Sequence, residues 1–236
     1  MELRGNIRFT EAIVVDEKLL VQLENTLLEF YDDVLYSVKL CNGDLIKFNN
    51  LQEMLDYENI DERKIESLQI GFNIIDELNF YPTYSAFCSY KCTVSGTYRM
   101  DNSDKSILFS NKVNDALKKA RRPQWYTVIT KISMFHFLIV ELIICFFLLG
   151  YIYIKEGELT EVSFTATYFI SCMLSSIMII LLCGLFSKIR KYFFPSISYM
   201  IGEQIVKIEA LNKLYGNIFW CVIVAFIVSV FSALVL

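Results

Sequence analysis

The chain has 236 residues, 55% of them hydrophobic, and a net charge of −4; its mean hydropathy is +0.43, too apolar for an ordinary soluble domain. Residues 1–125 carry 15 Lys and Arg against 20 Asp and Glu, whereas residues 126–236 carry 7 and 6 among three long apolar runs. That balance excludes broad recognition of duplex nucleic acid and divides the chain into domains at 1–124 and 125–236.

Residues 4–9 and 11–15 read as short strands. Asp16 stands at an N-cap position before Leu19, Leu20, Leu23, Leu27 and Phe30, which recur at helical spacing. Runs 34–40 and 45–48 flank Asn42-Gly43, a hairpin signal in which both turn residues take positive φ. A short helix over 51–57 is capped by Asn49 or Asn50, and residues 68–74 alternate as a half-buried strand. Residues 75–84, with Pro82 among aromatics, read as a loop. Residues 86–94 alternate as a strand, 96–104 as a turn, 107–109 as a returning strand and 111–122 as a helix. The sum is an α+β domain with an antiparallel sheet and about three helices.

No Gly-rich phosphate loop, nucleophile elbow or metal-ligand cluster occurs in this half, and it contains no His. The pairs Asp32-Asp33 and Asp61-Glu62 read as solvated caps beside helix ends. The expectation is a binding or sensing domain that is not an enzyme and needs no cofactor. Seven cysteines, four inside apolar runs, read as free thiols. A short oligonucleotide or cyclic nucleotide needs only a few cations and a stacking ring. Tyr90, Lys91 and Arg99 are the candidates for such a pocket, with ordinary surface residues as the alternative reading.

In the second half, Lys118, Lys119, Arg121 and Arg122 precede Pro123, and Trp125 and Tyr126 follow, residue types that anchor at a headgroup layer. Three transmembrane helices are expected at about 126–154, 164–186 and 217–236, since about 20 apolar residues cross a bilayer. The N-terminus has no basic flank leading into an apolar core, so no cleaved signal peptide is expected. Basic residues crowd one side, which puts the first domain in the cytoplasm and Leu236 outside. Residues 197–214 read as an amphipathic helix between two spans, with Ile201, Ile205, Ile208 and Leu211 on one face. It either lies on the membrane or couples to the first domain, and its mixed charges favour coupling.

Lys131, His136 and Glu141 interrupt the first span, and Glu141 falls close to mid-span, where a carboxylate usually turns inward. A homo-oligomer would gather Glu141 in a cation-favouring ring; alternatively it is protonated and hydrogen-bonded to Ser171 or Ser175. Thr167, Ser171 and Ser175 form a small hydroxylated stripe, suited to close helix packing or to lining a pore. The expectation is an oligomeric channel gated by its first domain. The alternative is a membrane-anchored scaffold that transports nothing.

In its domain order the chain resembles the membrane effectors of bacterial antiphage defence, most of all the channel effector of the Hailong system. That resemblance implies a bacterial inner membrane, a nucleotide signal made by a companion synthase, and an ion channel that the signal controls.

Overall fold

In the computed structural model the described residues are 3–73, 75–82, 93–131, 192–235 and four isolated positions, 139, 143, 184 and 188. They divide into two compact units. One comprises residues 1–82, 92–122 and 197–236, and the other residues 83–91 and 123–196.

The first unit is built on a six-stranded antiparallel sheet in the order β1-β7-β6-β5-β3-β4. Its strands are β1 (Leu3–Phe9), β3 (Leu35–Leu40), β4 (Leu45–Phe48), β5 (Ile65–Gly71), β6 (Glu77–Phe80) and β7 (Val94–Met100). Two further strands, β2 (Ile13–Val15) and β8 (Ile197–Tyr199), pair in parallel across more than 180 residues of chain. Helices α1 (Glu17–Leu28), α2 (Leu51–Leu55) and α3 (Ser103–Lys119) precede a long helix, α5 (Gln204–Val235).

Local chemistry explains the elements that were legible. Asp16 Oδ1 accepts from the Leu19 amide at 2.9 Å, and the leucines of α1 are buried. Asn50 caps α2 by accepting from the Glu53 amide, while Glu53 accepts from the amide of Asn49, one residue before the cap, a variant of the capping box. The β3–β4 turn has positive φ at Gly43 but not at Asn42. It is a turn closed by one left-handed residue, with Leu40 as donor to the Asp44 carbonyl.

Three expectations for this half change. Residues 77–80 form β6 instead of loop, and Tyr81 continues the pairing through its amide to the Thr93 carbonyl. Of the turn expected over 96–104, residues 96–100 are the body of β7 and 103–104 open α3: a side chain at Gly96 would strike Leu78, so the glycine serves close strand packing. Residues 107–109 belong to α3, which Asn102 caps well before the expected start. The strand expected over 86–94 lies mostly outside the described residues.

The core lies between one face of the sheet and the α1–α3 layer. Leu20, Leu23, Leu27, Val38, Leu78, Val94 and Val113 are fully enclosed, and Phe109 meets Tyr98 at 4.8 Å. Ile197, Tyr199 and Ile201 belong to the same core.

The second unit, taken by itself, holds α4 (Gln124–Lys131), with Tyr126 buried against Phe194 and donating to the Pro195 carbonyl at 3.1 Å.

Among the described residues no helix is long and apolar enough to cross a membrane. This corrects the expected all-α domain of three transmembrane helices. Of the first expected span, 126–154, the described residues are 126–131, the end of α4, and positions 139 and 143; the rest lies outside the described residues. The second, 164–186, lies outside the described residues apart from position 184. The third falls within the later part of α5, and the buried positions of that helix, Gln204, Ile208 and Tyr215, all precede it. The integral-membrane placement, the membrane topology and the ion-channel expectation lose their basis with those spans.

Candidate functional site

A set of long-range polar contacts joins the loop between α2 and β5 to the start of α5. Asn59 is the hub. It is fully buried with φ +48, a left-handed conformation that Asn tolerates better than most residues. Its Oδ1 accepts from the Ile65 amide at 2.8 Å, and its Nδ2 donates to the Ile201 carbonyl at 3.1 Å. Its own carbonyl accepts from Gln204 Nε2 at 3.2 Å. One side chain thus ties two segments 142 residues apart in sequence.

Around this hub the two backbones touch. The Glu203 amide donates to the Glu58 carbonyl at 2.8 Å. Gly202 has φ +56, and a Cβ there would lie 2.1 Å from the Glu58 carbonyl oxygen. Only glycine permits both the conformation and the approach. Asp61 completes the clasp, accepting from Gln204 Nε2 at 3.0 Å and from Lys207 Nζ at 2.5 Å. These two donors, Lys207 first, hold the Asp61 carboxyl below the usual carboxylate range.

A second tie runs from the end of α3. The Arg122 amide donates to the Ala12 carbonyl at 2.7 Å, and the guanidinium donates to Ser198 Oγ at 3.2 Å and to Asn212 Oδ1. Tyr199 donates to the Phe80 carbonyl at 3.0 Å, and the Met200 amide donates to the Val15 carbonyl at 2.8 Å. Tyr215, on the buried face of α5, has its phenol pushed up by burial. The arrangement is made of hydrogen bonds and the Lys207–Asp61 ion pair. What it does is fix the position of α5's first three turns by the sheet domain.

The expected site residues fall elsewhere. Glu141, His136, Thr167, Ser171 and Ser175 lie outside the described residues, as do Tyr90 and Lys91. Lys131 is the exposed last residue of α4. Arg99 lies on β7, where its amide donates to buried Asp76 and its carbonyl accepts from Tyr31. Of the residues expected to anchor at a headgroup layer, Lys118 faces solvent beside Asp115, Lys119 lines an open groove between α1 and α3, and Arg121 approaches Glu11 at 3.6 Å. Trp125 is 38% exposed, but Arg122 and Tyr126 are buried.

The α1–α3 groove, about 990 Å³, mixes Asp16, Glu17 and Asp115 with Lys18, Lys112 and Lys119. Among the described residues no group of three His, Cys, Asp or Glu could hold a metal ion.

Sequence reasoning missed Asn59, Gln204 and Ser198. Two faint signals existed: Gln204 interrupts the apolar face between Ile201 and Ile208, and Gly202 stands two residues before the first residue of α5. No protein-family model, curated protein or solved structure matches the chain.

Proposed function

We propose that this chain is a non-catalytic coupling protein. Its α+β domain takes up a signal, and the Asn59 clasp passes the state of that domain to α5. The observation that carries this reading is the buried Asn59 side chain, bonded at once to the first residue of β5 and to the entry of α5. A simple packing contact between the two would need apolar surface alone. A buried amide with a specified partner on each side gives two discrete conditions, made or broken, because leaving its partners unsatisfied costs about 1–3 kcal/mol each.

The test is a distance between spin labels at exposed Glu62 and Glu209 in the full chain. The wild type should give one narrow distribution, and Asn59→Ala should broaden it. An unchanged distribution in Asn59→Ala would remove the clasp from any coupling role.

A further inference from the structure

The groove between α1 and α3 is lined from Asp16 to Glu29, the full length of α1, which has 12 residues and is about 18 Å long. The two helices run antiparallel. The Val14 amide, just before α1, donates to the Ala120 carbonyl, just after α3, at 3.0 Å, while Glu29, past the other end of α1, pairs with Lys112. At the first of these ends Met200 and Ile205 enter the wall. The Met200 amide donates to the Val15 carbonyl, and Ile205 directly follows Gln204, which bonds the Asn59 carbonyl. One groove is thus shared by the sheet domain and the start of α5.

Local structure accounts for most of the charges that line it. Asp16 caps α1, Glu17 lies in the first turn of α1 where the helix dipole favours a carboxylate, Glu29 holds Lys112, and Asp115 approaches Lys118. Lys18 and Lys119 are exposed, and neither forms an ion pair among the described residues. Lys119 suits the last turn of α3, but Lys18 stands in the first turn of α1, the wrong end of a helix for a cation. In the same groove Val21 and Ile205 are 38% and 39% exposed. Apolar anchors beside two unpaired ammonium groups define the occupant. Small molecules favour pockets that enclose most of their surface, and this groove is open. Its four carboxylates repel a phosphate backbone. No strand edge lines it, so an extended peptide has no ladder to join. A third helix fits the furrow between two antiparallel ones.

We infer that the α1–α3 groove docks an amphipathic helix of a partner protein, its apolar side chains against Val21, Met200 and Ile205 and its carboxylates on Lys18 and Lys119. As the signal taken up by the sheet domain, this helix rests on the coupling reading given above. Met200 and Ile205 belong to the entry of α5, so docking and the Asn59 clasp strengthen each other.

The test uses the full chain and a fluorescein-labelled peptide of about 15 residues, with leucines at helical spacing, glutamates flanking them and alanine elsewhere, followed by polarisation. Saturable binding is expected. Lys18→Glu/Lys119→Glu should weaken it about fivefold or more, because two attractions become two repulsions. Lys47→Glu/Lys105→Glu, an equal charge change outside the groove, should leave it within about twofold. Asn59→Ala should weaken it about threefold or more, since an unclasped α5 no longer holds Met200 and Ile205 in the wall. The inference is overturned if wild type shows no saturable binding, if the Lys18→Glu/Lys119→Glu chain keeps its native near-ultraviolet dichroism and binds as tightly as wild type, or if polyglutamate displaces the probe as well as the unlabelled peptide does. Lysine-dependent binding that is equally tight in Asn59→Ala upholds the docking site and removes the coupling reading instead.

Discussion

Asn59 Nδ2 donates to the Ile201 carbonyl at 3.1 Å, although 142 residues separate them. The bond fixes where the chain re-enters the sheet domain after its other compact unit. It also fixes the direction in which α5 leaves, because Gln204, in the first turn, bonds the Asn59 carbonyl. Asn59 is therefore both a loop residue of the domain and part of the mounting of the helix.

Asn59→Ala should cost about 2–6 kcal/mol, since two buried backbone partners lose their bonds at about 1–3 kcal/mol each. Alanine also fits the left-handed backbone less well. Asn59→Asp keeps the acceptor for Ile65 and loses the donor to Ile201, so it should fall between wild type and alanine. Denaturant unfolding monitored by tryptophan fluorescence gives the order.

Gly202→Ala acts on the same joint from the other side. Its Cβ would overlap the Glu58 backbone carbonyl, which no side-chain rotation relieves. The variant should be destabilised by more than about 1 kcal/mol, and the loss should persist in a Lys207→Met background. Gly43→Ala, which has open space around it and strain alone, should cost less. Thermal midpoints of the two single variants provide the comparison.

The clasp should weaken in acid. The Asp61 carboxyl is depressed below its ordinary value, so its contribution is present above about pH 4, the unfolded value, and is lost as pH falls through the lower folded value. Amide exchange at 201–207 should rise below pH 4 after correction for intrinsic rates, and Asp61→Asn should remove that rise. A base-side loss has a different origin: burial raises the Tyr36 phenol, which also donates to Glu24. Its raised folded value means stability falls as pH climbs above about 10, the unfolded value, and Tyr36→Phe should flatten that limb.

Much of the sheet domain was legible because its signals are local. Asp16 before the leucines of α1, Asn50 before α2 and the Asn42-Gly43 turn each act within a few residues. The misreadings share a different cause. Gly96 looks like a turn residue in sequence, but it is there because Leu78 on the neighbouring strand needs the space. Ile197–Tyr199 looked like the start of an amphipathic helix and is a strand, since Val15 and its neighbours supply the partner. Arg122 and Tyr126 resembled a headgroup-anchoring motif by composition, yet both are buried with specific acceptors. The clasp was least legible, because Asn59 acquires its meaning only when Gln204 is brought to it.

Coupling is reciprocal: if the loop holds the helix, the helix holds the loop by the same free energy. Amide exchange on the full chain should therefore be read in both directions. Asn59→Ala should speed exchange across 201–212 by about tenfold or more, and Gln204→Ala should speed exchange across 56–66, each factor of ten corresponding to about 1.4 kcal/mol. If 201–212 exchanges at the wild-type rate in a folded Asn59→Ala chain, α5 is positioned independently of the loop, and the coupling account is wrong.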